Sequence, residues 1–187
     1  MKINHHQKEI CRILNYQFKS NRLLEEALTH SSARKSSKAN NERLEFLGDR
    51  VLGLIIAEEL LRLNPNSTEG QIATYYNYLV KKETCALIAK EIGLENLLTL
   101  GKSVKRTSDR QKNKILANAV EALIAAIFLD SGFKTSKEIV LKVWRKQIDL
   151  VRDIEAHAKT ALQELLQSEG QEPPIYRQIA RSGPDHD

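Results

Sequence analysis

The chain has 187 residues, 41% of them hydrophobic and 28% charged, with 8 glycines and 4 prolines. That is enough for one domain with a real core and part of a second, and the scarcity of proline and glycine suits an all-helical chain. A net charge of +5 tolerates a polyanionic partner without demanding one, while the lack of any apolar run near the roughly 20 residues that span a bilayer argues against a membrane segment. The N-terminal MKINHHQKEICRILNYQF has no signal-peptide core. Cys11 and Cys85 make no metal-type spacing and read as small apolar residues in a reducing compartment, so a cytoplasmic protein is expected.

Residues 6–14 read as a short amphipathic helix with Ile10, Ile13 and Leu14 inward. Lys19-Ser20-Asn21 is a cap signal, and a second helix is expected from Arg22 to His30. Residues 31–40 (SSARKSSKAN) are polar and basic and read as a loop. Asn41 is placed to cap the helix that follows, which runs to about Leu63. This helix carries the most informative stretch, NERLEFLGDRVLGLIIAEEL. At about 100° per residue, Glu42, Glu45 and Asp49 fall within an arc of roughly 60°. Leu44, Leu47, Val51, Leu54 and Ile55 fall on the opposite and flanking side. Like charges at these spacings repel by roughly 0.2–0.5 kcal/mol per pair. Gly48 and Gly53 each cost about 1 kcal/mol against Ala inside a helix. Stability alone would avoid both features. A divalent cation reverses the sign of the carboxylate clustering, and the glycines permit close approach of another backbone. The bland alternative is an acidic, solvated stripe.

Asn64-Pro65-Asn66-Ser67 breaks this helix. A helix from Glu69 to Leu79 follows, made aromatic by Tyr75, Tyr76 and Tyr78. Another runs from Lys82 to Ile92, with Gly93 as its stop, and a short turn spans 95–100. Residues 102–114 are the most basic stretch and read as a loop, including Lys105, Arg106 and Arg110. It is either a solvated surface or an arm that contacts phosphates. The helix from Ile115 to Asp130 is apolar nearly all round and should be central. Asn118 and Glu121 share one of its faces. A carboxylate in such a helix is expensive unless paired or metal-bound, which makes Glu121 the most informative acid in the chain. Ser131-Gly132-Phe133 ends it, and a helix over 136–150 carries Trp144 as a core residue. Residues 151–157 read as a polar linker, 159–167 as an amphipathic helix, and 175–180 as a strand.

If the two acid-bearing helices pack side by side, Glu45 and Asp49 from one meet Asn118 and Glu121 from the other. Oxygen donors without His or Cys suit Mg²⁺, with Mn²⁺ as a substitute, rather than Zn²⁺. The chemistry implied is metal-assisted phosphodiester hydrolysis. A Gly-rich phosphate loop is missing, which argues against an NTPase.

NERLEFLGD followed by an apolar helix closely resembles the signature of the ribonuclease III family, metal-dependent endonucleases of double-stranded RNA. The resemblance covers essentially residues 5–150. It implies an all-α endonuclease bundle as a catalytic domain over residues 1–151. It also implies, over 152–187, a linker and the N-terminal part of a double-stranded-RNA-binding domain, an incomplete α/β unit. By residue matching, Glu45, Asp49 and Glu121 fall on the family's metal-binding carboxylates, Asp49 and Glu121 being the catalytic pair. Asn118 falls where the family usually has Asp. Glu42 and Glu69 match acids near the RNA cleft. Thr29-His30-Ser31-Ser32 matches a Thr-His-x-Ser element, with His30 read as a structural hydrogen-bonder. Ala73 and Tyr76 stand where a Ser and an Arg are expected. Gln163, Glu164 and His186 match positions that touch the RNA minor groove, where recognition is of A-form shape rather than sequence.

The resemblance also implies a homodimer that cuts both strands, leaving 5′-phosphate and 3′-hydroxyl ends, and a role in rRNA and mRNA precursor processing. Phe46 lies about 40° round the helix from Glu42, away from the apolar side, and reads as a dimer-interface residue. Two rival readings stand beside this one. The first is a non-catalytic double-stranded-RNA-binding protein that kept the fold, a reading fed by Asn118. The second is a helical nucleotide hydrolase, which would need neither the basic stretch nor an RNA-binding tail.

Overall fold

The computed structural model describes residues 5–33, 40–101, 104 and 108–168, the last sixteen and the first two as backbone alone. Seven α-helices follow one another among them: α1 (His5–Leu14), α2 (Asn21–Ala27), α3 (Glu42–Leu63), α4 (Glu69–Val80), α5 (Lys82–Glu91), α6 (Asp109–Ser131) and α7 (Phe133–Ser168). The all-α expectation for the catalytic bundle holds. By internal packing the chain divides into Met1–Gln147 and Ile148–Asp187.

In the first unit α6 is the axis. Ile115, Leu116, Val120, Leu123, Ile124 and Ile127 are all buried, as a helix apolar on every side must be. It packs most extensively on α3 and next on α5, with α2 also against it. Trp144 of α7 is buried in the core, and its indole N–H donates to the Leu79 carbonyl at 3.0 Å. The Tyr78 hydroxyl and Gln147 lie 3.4 Å apart beside it. At the other end, Asp130 of α6 accepts from the Tyr16 hydroxyl at 2.5 Å and from the backbone N–H groups of Lys19 and Ser20 at 2.8 Å. Burial works to raise the Asp130 carboxyl pKa, but these hydrogen bonds outweigh it and hold it below the ordinary value. Cys11 and Cys85 are free and buried, and burial pushes the Cys85 thiol up to about 12.

Several boundaries differ from the sequence reading. The second helix stops at Ala27 because Thr29 forms a parallel bridge with Thr99. His30 N–H then donates to the Thr99 carbonyl at 3.1 Å. Asn41 does not cap α3 through its side chain; Asn40 Oδ1 accepts from Glu42 N–H at 3.1 Å instead. The basic stretch is not all loop. Ser108 caps α6, accepting from Gln111 N–H, so Arg110, Lys112 and Lys114 lie on its first turns. The expected helix over 69–79 starts on a full capping box between Thr68 and Gln71. Residues 151–157, read as a linker, are helical as part of α7; they contain no Pro or Gly to stop it. The second unit, where described, is this continuation to Ser168. The strand expected at 175–180 lies outside the described residues. Among the described residues no helix is long and apolar enough to cross a membrane.

Candidate active site

The site grows from the crossing of α3 and α6. The buried residues of α3 are Leu44, Gly48, Val51, Leu52, Gly53, Ile55, Ile56, Glu59 and Leu60. The centre of this face is Gly48, not the leucines, because the Glu121 backbone of α6 presses there: a Cβ on Gly48 would overlap the Glu121 carbonyl. This rotates the buried face toward the acids. Leu54, expected inward, is exposed. Glu45, one turn before Gly48, is brought to the edge of the contact with α6, half-buried, while Asp49 stays exposed.

Glu121 is buried, with its side chain 1% exposed. Its Oε2 lies 2.7 Å from Nζ of Lys82, which opens α5. The same ammonium donates to Asn118 Oδ1 at 3.1 Å and lies 3.5 Å from Glu45 Oε1. Glu121 Oε1 has no hydrogen-bond partner. Burial raises the Glu121 carboxyl pKa, offset in part by Lys82. Burial also works to lower the Lys82 pKa, but the hydrogen bond to Glu121 and the charges of Glu121 and Glu45 outweigh it and raise it. Three of the four expected ligands, Glu45, Asn118 and Glu121, are therefore gathered on one nitrogen. Asp49 is salt-bridged to Arg50 at 3.0 Å. It lies close enough to half-buried Tyr76 for its charge to add to burial in raising that phenol's pKa.

Sequence reasoning missed Lys82. A signal existed: a lysine pair at the start of a helix puts cations at the positive end of the helix dipole, at a cost of roughly 0.3–1 kcal/mol. Such a local inconsistency often has a compensating partner elsewhere.

Glu42 is exposed and lies 3.4 Å from Asn40 Nδ2. His30 is the structural hydrogen-bonder expected, with Nδ1 2.8 Å from the Ser32 hydroxyl; burial lowers its pKa despite Glu42 and Glu45. Glu69 sits in the first turn of α4. Arg110 is exposed on α6, whereas Lys105 and Arg106 lie outside the described residues. Gln163 and Glu164 fall on the backbone of α7, and His186 lies outside the described residues. Phe46 is 65% exposed beneath the Arg50 guanidinium, 3.9 Å from the ring centre. It edges a groove of about 660 Å³ shared with Arg22, Glu26 and Leu129.

Among the described residues, no three His, Cys, Asp or Glu side chains are arranged as a ready metal cage. The donor set nonetheless fits a hard divalent cation. Its oxygens converge on a positive charge, and buried Glu121 keeps one oxygen unsatisfied.

A helical bundle built round carboxylates on two crossing helices defines a class of acid-centred helical domain, and the comparisons narrow it. The model of a family described as Ribonuclease-III-like matches residues 20–148. Ribonuclease 3 of Dinoroseobacter shibae is 47% identical over 186 residues, covering 100% of this chain and 81% of that protein. Ribonuclease 3 of Ruegeria pomeroyi is 45% identical, with 100% and 83% covered. The nuclease domain of ribonuclease III from Campylobacter jejuni superposes with a TM-score of 0.71 at 36% identity, covering 76% of this chain and 98% of that one. A region of that domain is involved in dimer formation. The chain belongs to the ribonuclease III family.

Proposed function

We propose that the protein is an endoribonuclease that hydrolyses phosphodiester bonds of double-stranded RNA with a divalent metal, Mg²⁺ or in its place Mn²⁺. The observation that carries this is the convergence of Glu45, Asn118 and Glu121 beside Asp49 in a chain of this family. Glu45, Asp49, Asn118 and Glu121 would hold the ion. When bound, it supplies an activated water and neutralises charge on the phosphate. Glu121, fixed by burial in the central helix, sets the position of the centre. Asn118 contributes a neutral carbonyl oxygen, so the four donors carry three formal negative charges with Glu45, Asp49 and Glu121 ionised. Asp49, exposed on the solvent side, would meet the substrate.

Products with 5′-phosphate and 3′-hydroxyl ends, and rRNA and mRNA precursors as substrates, belong to the same proposal. A cytoplasmic location is consistent with such substrates and with the two free thiols. A catalytic domain over 1–151, followed over 152–187 by a linker and the N-terminal part of a double-stranded-RNA-binding domain, is proposed as well. A non-catalytic RNA-binding protein is disfavoured, because all three carboxylates are present and two reach a common point. The test is direct: duplex RNA should be cut with Mg²⁺ and left whole with EDTA, while nucleoside triphosphates survive in both. Binding without cleavage under Mg²⁺ and under Mn²⁺ would establish the non-catalytic alternative.

We further propose a homodimer through the Phe46 face. An exposed aromatic next to the groove, with exposed Leu129 across it, is an apolar anchor beside a pocket, the pairing that concentrates binding energy. Phe46→Ala should weaken the dimer by roughly 2 kcal/mol or more, a 30-fold or greater rise in dissociation constant, with helicity retained. Sedimentation equilibrium reads it; a wild-type monomer at micromolar concentration would exclude this interface.

A further inference from the structure

Three helices meet on the Lys82 ammonium. Glu45 comes from α3, Asn118 and Glu121 from α6, and Lys82 itself opens α5. Its nitrogen lies 3.5, 3.1 and 2.7 Å from their oxygens. An ammonium has three protons to give, and three acceptors surround it. Without this charge, Glu121 would be a buried carboxylate among apolar neighbours facing Glu45, an arrangement that disfavours both folding and convergence. Yet the lysine is not locked in. Its side chain is 47% exposed, and its four-carbon stem is flexible. Glu121 Oε1, buried and unpartnered, is a spare acceptor that the lysine leaves unused.

We propose that Lys82 is the resident counter-cation of this acid cluster. It holds Glu45, Asn118 and Glu121 converged, and withdraws toward solvent when a divalent cation takes its place. The proposal rests on the divalent-ion reading of the site given above. Ion affinity is then set by displacement of a built-in charge as well as by the oxygen donors. Lys82 acts here as a positioning residue, through the carboxylates and not on the reacting atoms.

Mn²⁺ titration followed by electron paramagnetic resonance tests it, in the full chain, with thermal unfolding in EDTA alongside. Lys82→Met keeps the stem and removes the charge. It should tighten Mn²⁺ binding about tenfold, as loss of a like charge a few ångströms away predicts. It should also lower the unfolding midpoint in EDTA, with Mn²⁺ restoring it. Lys82→Arg keeps the charge and should restore wild-type behaviour on both counts, which covers a folding defect in the neutral variant. In wild type, the Lys82 Nζ protons should exchange slowly in EDTA and rapidly after Mg²⁺ is added. Unchanged or weaker Mn²⁺ binding in Lys82→Met, or slow exchange that persists in Mg²⁺, overturns the counter-cation role while leaving the ion site standing. Should Glu121→Gln also leave Mn²⁺ binding untouched, the ion reading itself falls and the proposal with it.

Discussion

Glu121→Gln is expected to lower duplex-RNA cleavage by about 10³-fold or more, equivalent to roughly 4 kcal/mol of lost transition-state stabilisation, with the protein still folded. The side chain is almost fully buried, and one of its oxygens accepts from Lys82. Glutamine nearly preserves that shape, and its carbonyl can still accept from Lys82. What disappears is the charge. Since burial already works against ionised Glu121, removing that charge relieves desolvation and offsets the loss of the ion pair. The thermal midpoint should therefore move little while the rate collapses. Single-turnover cleavage at saturating enzyme, with RNA binding and thermal unfolding measured on the same preparation, separates the effects. A near-wild-type rate would show that the catalytic centre lies elsewhere.

Much of this arrangement is legible in the amino-acid sequence. The helices α3 to α6 follow from their apolar runs and breakers, and Gly93 and Gly132 punctuate them where expected. Gly93 and Gly132 take φ values of 67° and 83°, which favour glycine. Glu121 is conspicuous because an apolar helix tolerates a carboxylate poorly. What periodicity could not supply is the rotation of α3. The apolar period put Leu44, Leu47, Val51, Leu54 and Ile55 inward; Leu44, Val51 and Ile55 are buried, but the helix turns Gly48 into α6 and leaves Leu54 exposed. Hydrophobicity reports area, and a glycine has none to report, so this close backbone contact was invisible to it. Lys82 was missed for a related reason. Its partners Asn118 and Glu121 lie 36 and 39 positions away along the chain, far beyond the one-turn spacing that helix patterns reveal. Only its awkward place at a helix start hinted at them. The first turns of α6 were read as loop because their polar residues face solvent, leaving no apolar period to count.

Gly48→Ala tests that hidden contact. A methyl group at this position would overlap the carbonyl oxygen of Glu121 and lie 3.1 Å from its Cα. Backbone in the middle of the central helix cannot swing aside as a side-chain tip can. The helices must separate, an overpacking cost of roughly 1–3 kcal/mol or more, against a gain of about 1 kcal/mol from the better helix former. Gly53→Ala is the control on the same helix. Its methyl would meet the Tyr76 hydroxyl at 2.5 Å, the far end of a half-buried side chain that can move, so its loss of stability should be small. Urea unfolding should therefore show Gly48→Ala destabilised by roughly 1–2 kcal/mol net and Gly53→Ala much less. The activity loss should be larger than this stability loss explains. Glu45 and Asp49 flank Gly48, and the group it presses on is Glu121 itself. Any separation of α3 from α6 moves ligands apart, and a misplacement of about 1 Å can cost 10²-fold in rate. Cleavage measured well below the unfolding transition, where both variants are folded, should thus fall about 10²-fold or more for Gly48→Ala. If Gly48→Ala is as stable and as active as wild type, the close crossing of α3 and α6 is not what holds the carboxylates together.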